Sequence, residues 1–486
     1  MSEVKLTPKA VFDYFHQINA VPRPSKHEEK MIEFLKNFAA EHGLPCKVDE
    51  VGNVLISKPA TPGRENVPGL ILQGHMDMVC EKVSGLDFDF EKQPIETYID
   101  GEWMRAKGTT LGADCGIGDA LAMAVLTDDT LEHGPIQALF TRDEETGLTG
   151  AFGMKSGFME GKYLINLDSE DEGEIFVGCA GGANTTVTFN YTREALPAGY
   201  VPLRVSVDKL TGGHSGDDIN KRRANANKLL ARFLYIVWNK YDARLIEIKG
   251  GNLHNAIPRD AYAVIAVPSA DKENLRVDFN MFTADVEEEF HVEEKTMTFS
   301  LESELNADGT KPEAIDQKTA RGLIFALQAV HNGILEMNQD ITWLVETSSN
   351  LASIRTNENQ IVIVSSQRSS ALSSRENMSN TFAAAFRLAG AEVETGDGYP
   401  GWKPNPNSEL LKITVEAYKK LFGKEPLVRA IHAGLECGLF SEKYPGLDMV
   451  SFGPTLRGVH SPDERLEIKT VQMVWDHLVE IIKNIK

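Results

Sequence analysis

The run Leu70-Ile71-Leu72 leads into Gly74-His75-Met76-Asp77, and the same design recurs twice further along the chain. Ile136 to Phe140 is apolar and is followed by Thr141-Arg142-Asp143-Glu144-Glu145-Thr146-Gly147. Tyr163 to Leu167 is apolar and is followed by Asp168. Short apolar runs closed by polar clusters read as buried strands. An apolar helix, Ile117 to Leu126, lies between the first and the second, preceded by the glycine-rich stretch Gly108 to Gly118. Strands that alternate with helices predict an α/β fold built on a mixed sheet. Side chains that follow the carboxyl ends of such strands share one edge of the sheet, where ligands gather.

The chain has 486 residues, too many for one compact core. Its character changes near residue 186 and returns to α/β after Pro400-Gly401-Trp402. The expectation is a first domain over 1–186 and 400–486, split by an inserted α+β domain over 187–399. Within the insert, the helix Ala226–Trp238, the pair Asn252-Leu253 and the run Val264–Val267 find counterparts in Thr319–Val330, Asn350-Leu351 and Ile361–Val364. The nearly equal spacing predicts an internal duplication. Near the N-terminus, Thr7-Pro8 reads as a helix start, and Ser25 with Glu28 reads as a capping box for a helix closed by Gly43.

A formal net charge of −21 argues against nucleic acid or an anionic membrane as the partner, because both need a basic face. The five cysteines are odd in number and form no Cys-x-x-Cys pair, so neither a disulfide framework nor a zinc knuckle is expected. A reducing cytoplasm fits. Met1 to Lys5 lacks the basic-then-apolar pattern of a leader, and no apolar run approaches a bilayer's thickness.

His75, Asp77, Asp114, Glu144, Glu145, Asp168 and His460 all fall just beyond apolar strands or in the glycine-rich loop. Two imidazoles and three carboxylates suit zinc, with cobalt or manganese as substitutes. Five ligands exceed the need of one catalytic zinc and suit two ions sharing a carboxylate. Asp77, two residues after His75, is spaced to fix the imidazole's tautomer. Adjacent Glu144 and Glu145 point apart if the segment is extended, so one can hold a metal while the other takes a proton from water.

These residues resemble the co-catalytic zinc exopeptidases, a family that includes carnosinases, aminoacylases and carboxypeptidase G. The resemblance covers essentially the whole chain. Its most specific stretches are Gly108-Thr109-Thr110-Leu111-Gly112-Ala113-Asp114, Gly178-Cys179-Ala180-Gly181-Gly182, Ile431 to Phe440 and His460-Ser461-Pro462-Asp463-Glu464. It implies two zinc ions per subunit bridged by Asp114, with His75 and Asp168 completing one site and Glu145 and His460 the other. Asp77 would orient His75, and Glu144 would be the general base for a zinc-bound hydroxide. Cys115 stands where the family often has Asn, and it is expected to be a neutral neighbour.

The insert would be the family's lid. By the same resemblance, His214 in Thr211-Gly212-Gly213-His214-Ser215-Gly216 steadies the oxyanion, Asn255 contacts substrate and Arg368 clamps its carboxylate. Gly434 and Glu436 belong to a motif that forms the pocket wall. The implied reaction is hydrolysis of unblocked dipeptides, carnosine-like Xaa-His dipeptides above all. A deacylase or tripeptidase of the same family and an inactive metal-binding relative are the alternatives. A duplicated lid implies that its second half replaces a partner subunit, so that a monomer is catalytically complete whether or not it forms a homodimer.

Overall fold

The computed structural model describes residues 5–305, 312–339 and 341–486; most of the stretch read for a leader, residues 1–4, lies outside them. The chain divides into two compact units. One comprises residues 1–178, 402–430 and 435–486, the other residues 179–401 and 431–434.

The first unit is built on an eight-stranded sheet ordered Cys46–Val48, Val54–Lys58, Ile136–Thr141, Leu70–His75, Tyr163–Asn166, Asp448–Ser451, Glu174–Cys179 and Leu427–Ile431. The four strands from Ile136–Thr141 to Asp448–Ser451 run parallel. Val54–Lys58 pairs antiparallel with Ile136–Thr141, and Asp448–Ser451 pairs antiparallel with Glu174–Cys179, so the sheet is mixed. Every residue of Leu70–His75 is buried, as a central parallel strand requires. Helix Ala113–Thr127 is buried from Cys115 to Leu126, which is why its sequence is apolar all round. Its Leu121 and Val125 join Phe12, Phe15, Leu72, Phe140, Val471 and Leu478 in one core.

The capping-box expectation fails because tertiary partners take the groups that a local motif would use. Helix Glu29–Glu41 has no side-chain cap. The Ser25 hydroxyl instead donates to Asp77 Oδ2 at 2.8 Å, and Glu28 accepts from Arg142 Nε at 2.5 Å. Helix Lys9–Asn19 likewise starts after Pro8 with no cap from Thr7. Glu144 and Glu145 are not extended; they open the short helix Glu144–Gly147.

The second unit carries a nine-stranded sheet. Its order is Thr298–Ser303, Tyr200–Asp208, Ala261–Pro268, Arg244–Gly250, Val345–Thr356, Gln360–Ser369, Gly181–Asn190 and Glu392–Thr395, with Gly333–Met337 also paired to Val345–Thr356. Leaving aside the two-residue strands Gly213–His214 and Ala256–Ile257, which pair with each other, Tyr200–Asp208 to Thr298–Ser303 runs strand, helix, strand, strand, helix, strand in chain order. Apart from the extra strand Gly333–Met337, a similar alternation describes Gly181–Asn190, Gln317–Ala329, Val345–Thr356, Gln360–Ser369, Leu372–Leu388 and Glu392–Thr395, with the first set inserted after Gly181–Asn190. The two sets meet where Lys249 pairs with Arg355 and Gly250 with Ile354. The two Asn-Leu pairs do not correspond. Asn252 is exposed after its strand, whereas Asn350 is buried within one. Their similar spacing is therefore accidental.

Candidate metal centre and carboxylate site

His75 ends its strand with Nε2 3.1 Å from Asp114 Oδ1 and 3.3 Å from Asp168 Oδ1. Asp168 follows the neighbouring parallel strand, and Asp114 opens helix Ala113–Thr127. From the other side, His460 Nε2 lies 3.0 Å from Asp114 Oδ2 and 3.0 Å from Glu145 Oε2. Asp114 thus presents one oxygen to each histidine. The five residues read as ligands come together in one unit, as two histidine–carboxylate groups sharing a carboxylate.

Asp77 sits behind this cluster, fully buried. Its Oδ1 is 3.3 Å from His75 Nδ1 and accepts the Glu144 N–H at 3.0 Å, while Oδ2 accepts from Ser25 and from the Glu145 N–H at 3.3 Å. One carboxylate therefore orients both the imidazole and the turn that carries the two glutamates. Glu145 faces His460, and no side-chain hydrogen bond ties Glu144 among the described residues.

The electrostatics are those of acids crowded around two bases. Burial opposes charge on His75, yet the Asp168, Asp114 and Asp77 carboxylates raise its pKa well above the usual value. His460 is pushed up to about 11 by Asp114 and Glu145. Burial, then the Asp114 charge, pushes Asp168 up to about 6. Burial, with Asp168 and Glu145 adding to it, raises Glu144 well above the usual carboxylate range. Glu145 Oε1 is buried and has no hydrogen-bond partner among the described residues. An excess of carboxylates around two imidazoles, with an orphaned oxygen aimed among them, fits a pair of divalent cations.

Several supporting residues were given no structural role by the sequence. Glu464 accepts the N–H groups of Leu111, Gly112, Ala113 and Asp114 at 2.7, 3.0, 2.8 and 3.3 Å, holding the whole glycine-rich loop. Buried Arg23 donates to the Met76, Asp77 and Gly112 carbonyls. The Cys115 thiol is buried, 3.5 Å from the Leu167 carbonyl, and burial holds its pKa well above the usual value. Its sulfur lies within 4.8 Å of ligand atoms of His75 and Asp168. Glu436 is also buried in this unit, accepting from Gln73 Nε2 at 2.6 Å and Thr141 Oγ1 at 2.8 Å. Its other oxygen, Oε1, is buried with no hydrogen-bond partner among the described residues.

The other candidates belong to the second unit. Arg368 is 5% exposed, and its Nη1 donates to Tyr399 Oη at 3.0 Å. Gly434 packs against the Tyr399 ring so closely that a Cβ there would come within 2.7 Å of it. His214 Nδ1 accepts the N–H groups of Gly216 and Asp217 at 3.3 and 3.2 Å, which leaves the ring proton on Nε2. Burial, then the Arg368 charge, lowers its pKa. Asn255 is exposed, and its backbone carbonyl accepts the Ser215 N–H at 2.8 Å. Tyr399 was not among the sequence candidates; its only cue was the turn-forming Pro400-Gly401 beside it.

Residues 71–484 match the model of peptidase family M20/M25/M40. The chain is 43% identical over 486 residues to the cytosol non-specific dipeptidase of Escherichia coli, covering 100% of this chain and 99% of that protein. The crystal structure of aminoacylhistidine dipeptidase from Vibrio alginolyticus superposes with a TM-score of 0.92 at 44% identity, over 99% of this chain and 98% of that one. Aminopeptidase PepT from Bacillus cereus shares the fold, with a TM-score of 0.58 at 17% identity over 99% of each chain. No helix among the described residues is long and apolar enough to cross a membrane. The chain belongs to peptidase family M20/M25/M40, and it is a metallopeptidase.

Proposed function

We propose that this protein is a cytoplasmic di-zinc dipeptidase that hydrolyses unblocked dipeptides, Xaa-His dipeptides among them. The observation that carries the reading is the shared carboxylate of Asp114 between His75 and His460, with untethered Glu144 on the turn beside Glu145. The names of the two full-length relatives support the substrate class. One relative is named for aminoacyl-histidine and the other for lack of specificity, which favours a broad dipeptide range that includes C-terminal histidine.

His75, Asp114 and Asp168 would hold one zinc, and Asp114, Glu145 and His460 the other. Two such ions would supply an activated water and a Lewis acid for the scissile carbonyl. Glu144 then takes the water's proton and returns it to the leaving amine. Asp77 keeps His75 in the tautomer that presents Nε2. In the second unit, the lid, Arg368 receives the substrate carboxylate, His214 Nε2–H steadies the oxyanion, and Asn255 and Gly434 contact the substrate.

The repeated strand–helix alternation of the lid, joined at Gly250 and Ile354, supports descent from a duplicated unit. On that reading a monomer is complete, whether or not it dimerises. The decisive experiment is hydrolysis of carnosine, leucyl-histidine, leucyl-leucine and an N-acetyl amino acid by chelated and zinc-restored protein. Zinc-dependent cleavage of the dipeptides alone is expected. Cleavage of the acetyl substrate alone would make it a deacylase.

A further inference from the structure

Helix Glu144–Gly147 has four residues, too few to hold its own shape. Yet it carries two acids with different tasks, so its orientation is set from outside. Asp143 stands at its N-cap position in the left-handed conformation, φ 51° and ψ 52°, and Leu148 closes it in the same region, φ 54° and ψ 29°. Residues other than glycine rarely adopt this conformation, and Asp and Asn tolerate it best.

An N-cap carboxylate ordinarily accepts the first free N–H groups of its helix. Here Asp77 takes those of Glu144 and Glu145, and the Asp143 side chain caps none. Its oxygens accept instead from the far side of the turn, Oδ1 from the Thr146 hydroxyl at 2.5 Å and Oδ2 from that of Thr149. The Asp143 carbonyl accepts the Thr149 N–H at 3.0 Å. The ends of the segment are pinned as well. The Arg142 carbonyl accepts the Gly150 N–H at 2.8 Å. Buried Asn53 bridges the same two residues, accepting the Arg142 N–H at 3.1 Å and donating to the Gly150 carbonyl at 2.9 Å. Residues 142–150 thus close on themselves, and the Asp143 side chain spans the loop.

Glu28, Asp77 and Asp143 are buried and each offer an oxygen within 4.8 Å of the others'. All three are already engaged: Glu28 by Arg142, Asp77 by Ser25 and the two glutamate N–H groups, Asp143 by the threonines. The cluster is therefore a bracket around the turn and not a cation site. Neighbouring side chains on a helical turn point about 100° apart, so any rotation of the turn moves both glutamates at once. In the bracketed position Glu145 Oε2 lies 3.0 Å from His460 Nε2.

We propose that Asp143 is a positioning residue: by joining Thr146 and Thr149 across the turn, it holds Glu145 on the metal side and leaves Glu144 free to face the attacking water. The half that concerns Glu144 rests on its reading as general base; the half that concerns Glu145 does not need turnover.

The test compares wild type, Asp143→Gly, Asp143→Asn and the double variant Thr146→Val with Thr149→Val. It measures kcat and KM on leucyl-leucine with zinc-loaded protein, and zinc affinity by chelator competition. Gly keeps the left-handed backbone and loses the bridge. Asn keeps both, because its amide accepts from one hydroxyl and donates to the other. In Asp143→Gly kcat should fall about 10- to 100-fold with KM within about twofold, the effect of a base displaced by roughly an ångström. Zinc affinity should fall about tenfold or more, as for other groups behind a ligand. The threonine double variant should show both losses, and Asp143→Asn should recover most of each. Unchanged kcat and zinc affinity in Asp143→Gly overturn the proposal, even where the unfolding temperature drops. An Asn variant as impaired as the Gly variant also overturns it, since the buried charge and not the bridge is then responsible. If Asp143→Gly does not fold, unchanged values in the threonine double variant overturn it. If wild type cleaves no dipeptide, the dipeptidase reading falls, and the zinc affinities still decide what holds Glu145.

Discussion

Glu464 carries Asp114 by its backbone. The two oxygens of the Glu464 carboxylate accept four consecutive N–H groups, the last of them that of Asp114, and so set where the shared carboxylate stands. Replacing Glu464 by Gln turns one acceptor oxygen into an NH₂ that faces N–H groups. Metal affinity, measured by chelator competition, should weaken about 10- to 100-fold, as for other groups behind a ligand shell. The circular dichroism spectrum should not change. Unaltered affinity would mean that the loop is held by other contacts.

Neighbouring Glu144 and Glu145 should separate cleanly in mutation. Glu145 Oε2 is 3.0 Å from His460, whereas Glu144 reaches no ligand. Glu144→Gln should keep both metals and lower kcat by about 10²- to 10⁴-fold, the usual contribution of a proton-transfer group. Glu145→Gln should lose metal first. Bound metal counted by plasma emission, next to kcat, distinguishes the two.

His75, Asp114, Asp168 and His460 were legible because the chemistry of the ligand set coincides with a local signal, the apolar strand or glycine-rich loop before each. The α/β sheet was legible for the same reason. The role of Glu464, although it lies in the His460–Glu464 stretch, and that of Arg23 were not, because what they bind is backbone more than fifty residues away in the chain, and no residue pattern encodes that. Ser25 and Glu28 misled because a correct local motif lost its groups to Asp77 and Arg142. The Asn-Leu spacing misled because two residues cannot fix a register, and strand alternation over the whole insert carries the regularity instead.

Metal loading should release protons. In the metal-free protein Asp114 and Glu145 push the His460 pKa up to about 11 and keep it protonated at neutral pH, and the carboxylates around His75 raise its pKa against the effect of burial. Both must be neutral to become ligands. Calorimetric titration with zinc in two buffers of different ionisation enthalpy should show net proton release on binding at pH 7. Apparent affinity should rise with pH, since high pH favours the deprotonated histidines. A pH-independent affinity between pH 6 and 8 would contradict the proton-sharing arrangement.

Gly434→Ala should damage recognition without touching the metals. The added methyl would meet the Tyr399 ring at 2.7 Å, and Tyr399 Oη is the acceptor that holds Arg368. A shift of Tyr399 misplaces the guanidinium. KM for dipeptides should rise at least about tenfold, in line with the loss of one charge-assisted bond. Metal content should stay at the wild-type level, and a loss of metal would refute this account.

His477 should make the first unit acid-sensitive. It is buried, with Nε2 2.8 Å from the Thr414 carbonyl and its ring against Tyr418 and Phe452. Burial pushes its pKa from 6.5 down to about 4. Between those values the unfolded chain binds a proton that the folded chain excludes, so stability falls as pH falls through this window. The native ring is neutral and keeps its bond until about pH 4. From pH 7 to pH 5 this one group should remove about 2 kcal/mol of stability. His477→Gln keeps a donor for Thr414 but cannot take up the proton. Urea unfolding of metal-free wild type and variant at both pH values isolates the effect, because the metal's own proton linkage is then absent. The variant should lose about 2 kcal/mol less than wild type on acidification. Equal losses would show that the His477 ring is already charged, or already solvated, in the folded protein.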